Sequence, residues 1–342
     1  MHSQTKAIGE FDLIQRFFKT KADSMRPNTT QNSVSLGIGD DCALLKPSLD
    51  QEIAITSDML VEGRHFFSGA DPEQLGWKAL AVNLSDLAAM GAEPLGFTLS
   101  IALPKADSSW LEAFSKGLFD IAEQYSCPLI GGDTTSGPLT ISITAFGSIP
   151  NGKAMRRSGA KTGDDIWVSG TIGDARLALA ALRHEMTLPA NDFAQIEKRL
   201  HRPTPRIELG IQLRDIASSA LDISDGLLGD LNHILQQSQA SAEIYLKRLP
   251  ISMILQKQSI EIQNQFATCG GDDYEICFTA SKTQRNKIEQ LSKTLNIPLS
   301  IIGEVTSKKD IGPRVNVIDI NGKLLSNADA SALMKSFDHF AS

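Results

Sequence analysis

The sequence has few cysteines, no surplus of basic residues and no long apolar run, and each shortage excludes a class of protein. The four cysteines form no Cys-x-x-Cys pair and have no histidine cluster beside them, so a zinc site is not expected and a reducing compartment is favoured. The chain has 33 basic and 40 acidic residues, a formal net charge of −7, which argues against a broad nucleic-acid-binding surface. No stretch reaches the ~20 apolar residues of a membrane span, and residues 1–10 lack an apolar signal core. We therefore expect a cytoplasmic protein that binds neither nucleic acid nor a membrane.

The glycine-rich loops that commonly hold nucleotide phosphates are also incomplete. Residues 147–153 read G-x-x-x-x-G-K, but Ala154 follows where a P-loop has serine or threonine, and the next residues predict a turn instead of a helix. Gly37 and Gly39 begin a dinucleotide-binding pattern, but Cys42 occupies the position of its third glycine. If ATP binds to this protein, we expect metal ions rather than a Walker loop to hold its phosphates.

The length of 342 residues predicts two domains, and a turn at residues 151–153 places the boundary, giving domains 1–150 and 151–342. Strands and helices are mixed in both halves, so the predicted class is α/β or α+β. Strands are predicted at 34–38, 53–57, 94–103, 127–130, 139–149, 165–169, 220–223, 243–246, 274–279 and 299–303. Helices are predicted at 10–21, 71–90, 108–125, 174–184, 206–218, 226–237 and 283–295.

Five short segments that carry Gly-Asp or Ser-Asp pairs are the main signal in the sequence. They are 37–41, 56–58, 83–86, 131–133 and 222–226. Four follow predicted strands, and the one that ends at Asp86 lies in a predicted helix. A carboxylate at a strand end, beside a small residue, is well placed to face a ligand crevice. Several carboxylates there repel each other unless cations lie between them, and carboxylate and hydroxyl oxygens are ligands that Mg²⁺ prefers. The helix predicted after Ser224 also offers free N–H groups to a phosphate.

Each acidic segment also has a simpler interpretation. Asp40 and Asp41 could be turn residues. Asp58 and Asp225 could cap the elements that follow them. Asp86 could lie on the solvent-exposed face of its helix. The segment 131–133 could be a plain loop. Turn residues have no reason to recur beside small neighbours at strand ends, so the joint pattern favours one shared site.

Longer motifs recur in order along almost the whole chain. They occupy residues 9–11, 36–43, 57–58 with His65, 78–92, 130–135, 157–161, 202–206, 222–226, 270–275 and 337–340. In this order they resemble the thiamine-monophosphate kinase family of the aminoimidazole-ribonucleotide-synthetase-like superfamily. The resemblance implies a two-lobed α/β (α+β) fold, with a mixed-sheet N-terminal lobe that dimerises and an α/β C-terminal lobe.

The resemblance also implies ATP-dependent phosphorylation of thiamine monophosphate to thiamine diphosphate by a homodimer that uses several Mg²⁺ ions. Residues 1–150 would bind ATP and Mg²⁺ and form the dimer, and residues 151–342 would complete an active-site cleft between the lobes. Because acceptor and donor are both anions, charge neutralisation and positioning should dominate the reaction. A phosphate oxygen is already a nucleophile, so direct in-line transfer is favoured over a phosphohistidine at His65.

Site residues carry over by motif position. Metal ligands implied by the resemblance are Asp41, Thr56, Ser57, Asp58, Asp86, Asp133, Asp222 and Asp225, and we expect the catalytic set to be Asp41, Asp58, Asp86, Asp133 and Asp225. ATP contacts implied are Gly132, Asp133, Arg157 and Ser224, and substrate contacts are His65, Asp272 and Phe337. The family often has glutamate at the position of Asp272 and tryptophan or tyrosine at that of Phe337.

Two other functions remain open at this point. One is a different ATP-dependent synthetase of the same superfamily; the selenophosphate-forming relatives need a reactive cysteine near the N-terminus, whereas the first cysteine here is Cys42 within a predicted metal motif. The other is a catalytically silent sensor of nucleotide or thiamine phosphate, which would be expected to have lost some of the metal carboxylates.

Overall fold

The computed structural model describes residues 10–25, 33–38, 42–308 and 314–334, and the statements below refer to these. The chain divides into two compact units. The first comprises Met1–Leu87 and Ala92–Gly152, and the second comprises Ala88–Gly91 and Lys153–Ser342. The mixture of helices and strands in each unit confirms the predicted fold class. None of the helices within the described ranges is long and apolar enough to cross a membrane.

The first unit is built on a four-stranded mixed sheet. Its elements are α1 (Glu10–Leu13), a π-helical segment (Ile14–Lys19), α2 (Thr20–Ser24), β1 (Val34–Leu36), β2 (Leu44–Leu45), β3 (Gln51–Val61), α3 (Pro72–Met90), β4 (Glu93–Leu103), α4 (Ser108–Gln124), β5 (Leu129–Ser136) and β6 (Thr140–Pro150). The strand order is β3-β6-β4-β5, with β1 and β2 forming a separate pair. β6 is antiparallel to both of its neighbours, whereas β4 and β5 run parallel.

Helices α3 and α4 approach each other closely because glycine lies at their crossing. A Cβ on Gly117 of α4 would lie 1.8 Å from the backbone oxygen of Glu73 in α3, and one on Gly76 would lie 2.1 Å from the oxygen of Phe114. The first turn of α3 is capped as the sequence predicts, since the side chain of Asp71 accepts the Gln74 N–H at 3.0 Å. These contacts fix the first turns of α3, the helix that carries Asp86 further along.

The second unit is built on a six-stranded sheet. Its elements are β7 (Asp165–Ser169), α5 (Asp174–Leu182), α6 (Ala190–His201), α7 (Ile207–Leu213), β8 (Ser219–Asp222), α8 (Leu227–Gln237), β9 (Ala240–Tyr245), 3-10 turns at Leu246–Arg248 and Leu255–Lys257, α9 (Ile260–Cys269), β10 (Ile276–Ala280), a 3-10 turn at Lys282–Gln284, α10 (Arg285–Leu295), β11 (Leu299–Ser307), β12 (Val315–Ile318) and α11 (Asn327–Ala332). The strand order is β12-β9-β11-β7-β10-β8, antiparallel except for β12 with β9. The predicted apolar stripe of α8 is fully buried in its core.

Two of the predicted strand ends that differ from the structure concern site residues. β3 continues to Val61 and β5 to Ser136, so Asp58 and Asp133 lie inside strands and not after them. Hydrogen bonds to β6 and β4 hold these polar residues in strand conformation, which the apolar pattern could not reveal. Helices α6 and α9 and strand β12 were not predicted at all, and the helix predicted at 206–218 ends at Leu213.

Candidate active site

In the first unit, β3 and α3 bring three of the predicted ligands to one face of the sheet. Thr56 and Asp58 are two residues apart in β3, so their side chains point to the same side of the strand. The Thr56 hydroxyl donates a short hydrogen bond to the carboxylate of Asp86 in α3. Their partners in β6, Ala145 and Ile143, are buried, which identifies this side as the core side of the sheet. A strand and a helix thus place the Thr56 hydroxyl beside the Asp86 carboxylate, and Asp58 lies on the same face of the sheet.

Ser57 and Asp133 lie on the opposite face of the same sheet. Four residues follow one another in register across the sheet: Asp133 of β5 pairs with Ser100 of β4, and Ser100 pairs with Ser142 of β6. Ser142 in turn pairs with Met59 of β3. Residues in register point to the same side, so Asp133 shares the face of Ser57 and Met59. Because β3 and β5 are the two edge strands, Asp58 and Asp133 are separated by three strand spacings, about 14 Å. The structure does not bring these two aspartates together within one chain.

Gly132 and His65 occupy positions that their backbones determine. Gly132 has φ of 147°, and a Cβ there would lie 1.8 Å from the backbone oxygen of Leu99, so only glycine fits this approach of β5 to β4. His65 follows β3, and its Nδ1 accepts the Val61 N–H at 2.9 Å. This hydrogen bond fixes the orientation of the imidazole ring just after β3.

In the second unit, the acidic loop after β8 is organised by a residue that the sequence did not reveal. The backbone N–H groups of Ser224, Asp225 and Gly226 all donate to Oδ2 of Asp230, each at 3.1 Å. Asp230 lies in the first turn of α8 and is buried. The sequence predicted free N–H groups at the start of this helix, from residue 226; the Gly226 N–H is not free to bind a phosphate, because an internal carboxylate already accepts it.

The loop before β10 is joined directly to this acidic loop. The N–H groups of Asp272 and Tyr274 donate to the carbonyls of Ser224 and Ile223, each at 2.8 Å, and the Ile223 N–H donates to the carbonyl of Glu275 at 2.8 Å. Asp272 and Tyr274 both have left-handed backbones, with φ of 65° and 49°, a conformation that persists only where its surroundings enforce it. The structure thus brings together Asp222, Ser224, Asp225 and Asp272, which the sequence placed in separate motifs.

A buried ionic cluster supports the second loop from behind. The side chain of Glu275 is fully buried; it accepts from Arg199 Nη2 at 2.7 Å, from Arg206 Nε at 2.7 Å and from the Ser169 hydroxyl at 2.5 Å. The adjacent Asp273 accepts the Gly173 N–H with both carboxylate oxygens at 3.0 Å. Burial raises the pKa of Asp273 well above its usual value, although the charge of Arg199 opposes this.

Sequence reasoning missed this cluster for a simple reason. Arg206 and Glu275 lie in motifs that the sequence singled out, but they are 69 residues apart, and no local pattern links them. Asp230 could have been found from its place four residues after Gly226, in the first turn of a predicted helix, where a carboxylate can bind the loop that precedes it.

The structure gives fewer contacts for the remaining predicted site residues. Arg157 is exposed in the loop after β6, and its backbone carbonyl accepts from the Ser238 hydroxyl at 3.1 Å. Asp41 and Phe337 lie outside the residues that the structure describes. Within the described ranges, no group of three or more histidine, cysteine, aspartate or glutamate side chains could hold a metal ion.

The donor chemistry of both units nevertheless fits Mg²⁺. The first unit offers the hydroxyl of Thr56 beside the carboxylate of Asp86, and hard oxygen donors of this kind suit that ion. In the second unit, burial and the charge of Asp225 raise the pKa of Asp230 to about 7, although three backbone hydrogen bonds oppose the rise. The donors that the second unit offers are oxygen atoms as well, on the half-buried side chains of Ser224 and Asp225 in the loop after β8.

Comparison with known proteins identifies the relatives of this chain. Residues 39–149 match the family "AIR synthase related protein, N-terminal domain", and residues 161–316 match the corresponding C-terminal domain. The thiamine-monophosphate kinase of Escherichia coli K12 is 44% identical over 339 residues, which cover 98% of this chain and 99% of that protein. The crystal structure of thiamine-monophosphate kinase from Stenotrophomonas maltophilia K279a is 42% identical with a TM-score of 0.82, covering 94% of this chain and 99% of that one. A structure described as AaThiL complexed with AMPPCP and TMP is 30% identical with a TM-score of 0.73, and 97% of each chain is covered.

Proposed function

The chain belongs to the thiamine-monophosphate kinase family, and on that premise we propose that it phosphorylates thiamine monophosphate with ATP, giving thiamine diphosphate and ADP. The observation that carries the proposal is the direct hydrogen bonding between the loop 222–226 and the loop 270–275. Residues proposed to bind the metal-held nucleotide and a residue proposed to contact the substrate, Asp272, thereby lie on one continuous surface. The enzyme is proposed to act in the cytoplasm, which suits its four free cysteine thiols.

The acidic residues account for how two anions could meet. ATP and thiamine monophosphate repel each other, and Mg²⁺ ions would supply the neutralising charge. Donors proposed to hold those ions are Asp41, Thr56, Ser57, Asp58, Asp86, Asp133, Asp222 and Asp225. Ser224, Gly132 and Arg157 are proposed to contact ATP, and His65, Asp272 and Phe337 to contact thiamine monophosphate. Since the acceptor oxygen is already a nucleophile at neutral pH, the chain has only to position the two phosphates for direct in-line transfer.

A coupled assay tests the reaction. Purified protein with ATP and Mg²⁺ should release ADP only when thiamine monophosphate is added, and thiamine diphosphate should form in equal amount. ADP release that does not depend on thiamine monophosphate, or no release at all, would contradict the proposal and favour another synthetase or a sensor.

We also propose a homodimer, because the separation of Asp58 from Asp133 makes a second copy necessary for a site that uses both. The face of the sheet that carries Ser57 and Asp133 also exposes Ile55 and Met59, by 63% and 56%. A second copy placed against this face would cover these apolar side chains. It would also allow edge strand β3 of one copy to lie near edge strand β5 of the other. The segment 57–58 of one copy would then approach the partner's Asp133, with Ser57 on the shared face and Asp58 at the edge of the sheet.

A mixed dimer tests the shared site. Asp58→Asn and Asp133→Asn should each lower turnover by orders of magnitude without unfolding the protein. If the two residues come from different copies, a heterodimer of these variants, purified through two affinity tags, contains one intact site and should recover about half of the wild-type activity. The matched control is a heterodimer of Asp58→Asn with Asp86→Asn: both residues come from one copy, so neither site is intact. Recovery in the control, or none in the test pair, would contradict the shared site.

A further inference from the structure

Asp230 fills a backbone feature that usually binds a ligand. Three consecutive N–H groups directed at one point form an anion-binding nest, the arrangement that often holds a phosphate. Here the point is Oδ2 of Asp230, which accepts from Ser224, Asp225 and Gly226 at 3.1 Å each. Asp230 is only 5% exposed, so the contact belongs to the interior of the second unit and not to its surface.

The rest of this loop is restrained as well. The carbonyl of Ser224 accepts the Asp272 N–H at 2.8 Å. Gly226 has φ of 131°, and a Cβ there would lie 2.9 Å from the backbone of Cys269 at the end of α9. With its N–H groups turned to Asp230 and its first carbonyl turned to Asp272, the loop has one backbone orientation. The side chains of Ser224 and Asp225, both half-buried, are presented by that orientation.

We propose that Asp230 is a positioning residue for phosphoryl transfer: an internal hydrogen-bond acceptor that fixes the loop 224–226 so that Ser224 and Asp225 meet the metal-bound nucleotide. The inference rests on the proposed function. A carboxyl oxygen is suited to this task because it can accept several N–H bonds at once. It acts through the loop and does not itself touch substrate.

Two substitutions at this position separate positioning from simple stability. Asp230→Ala removes the acceptor of three N–H groups, and a misplacement of ~1 Å in a catalytic loop can cost ~100-fold in rate. We therefore expect kcat to fall by about 100-fold, with a smaller change in KM for thiamine monophosphate. Asp230→Asn keeps an acceptor oxygen of the same shape and should restore most of kcat. The control is Asp192→Asn, since Asp192 is another buried aspartate of this unit that pairs with Lys257 and has no hydrogen bond to either loop.

A double-mutant cycle gives a readout that stability alone would not change. If Asp230 acts through Asp225, Asp230→Ala combined with Asp225→Asn should be no slower than Asp225→Asn alone. Rates are compared per folded molecule, with the folded fraction taken from thermal unfolding. The inference is overturned if the losses of the two single variants multiply in the double variant. It is also overturned if Asp230→Ala keeps kcat within about threefold of wild type, since a tenfold loss corresponds to only about 1.4 kcal/mol. A loss of kcat in Asp192→Asn as large as that in Asp230→Ala would overturn it as well. Failure of the proposed function is distinct, because the wild-type protein would then show no release of ADP dependent on thiamine monophosphate.

Discussion

The buried Glu275 cluster gives the most quantitative prediction, through substitution of Arg206 by methionine. The carboxylate of Glu275 is fully buried and is held by Arg199, Arg206 and the Ser169 hydroxyl. Arg206→Met fills similar space but removes the bidentate partner. The remaining charge of Arg199 and the hydroxyl of Ser169 then have to stabilise the carboxylate alone.

The expected magnitude follows from burial. Removing one partner of a buried ion pair typically costs about 3–5 kcal/mol, because the other charge stays behind without water. Since Arg199 remains in contact, we expect the lower end, about 3 kcal/mol. For a unit of this size, such a loss lowers the unfolding midpoint by roughly 6–12 °C.

The matched control is Lys257→Met. Lys257 also pairs with an aspartate of the second unit, Asp192, but its side chain is 56% exposed. An exposed pair contributes about 0–1 kcal/mol. Both variants lose one positive charge, so the difference between their losses of unfolding free energy reflects the burial of the ion pair.

Urea unfolding of both variants, followed by the transition of the second unit, measures the difference in free energy. Arg206→Met should also lower kcat, because the Glu275 carbonyl accepts the Ile223 N–H and ties the two loops together. The reasoning is refuted if Arg206→Met is destabilised by no more than Lys257→Met, since the cluster would then be too well solvated to support the loops.

Three further predictions concern other parts of the chain. Ile55→Glu places a charge on the exposed sheet face and should convert the proposed dimer to a monomer in light scattering, with loss of activity; an unchanged mass would exclude this face as the interface. Gly132→Ala places a Cβ against the backbone of β4 and should destabilise the first unit by about 2 kcal/mol, whereas an unchanged denaturation curve would mean that β5 lies elsewhere. Exposed Cys42 should react readily with thiol reagents, while Cys127 and Cys277, whose thiol pKa is raised by burial, should react only after unfolding; labelling of either in the native protein would contradict their burial.

The sequence predicted local features of single elements better than it predicted where the candidate site residues lie. The capped start of α3, the buried stripe of α8 and the turn near residue 152 follow from spacing, capping chemistry and turn residues, which are local. The positions of Asp58 and Asp133 do not, because strand pairing with β6 and β4 carries both strands past the apolar run. The role of Asp230 was hidden because its bonds to the loop exist only after the chain turns from β8 into α8.

By itself, the sequence determined the fold class, the acidic segments and the family resemblance, since each depends on residue type and order. Only the tertiary structure decided that Asp58 and Asp86 share one face while Asp133 lies on the other, because sheet order and register are set by pairing between distant segments. It alone joined the loops 222–226 and 270–275 and buried Glu275 between Arg199 and Arg206. Such contacts between residues far apart along the chain arise from packing, and no local pattern in the sequence records them.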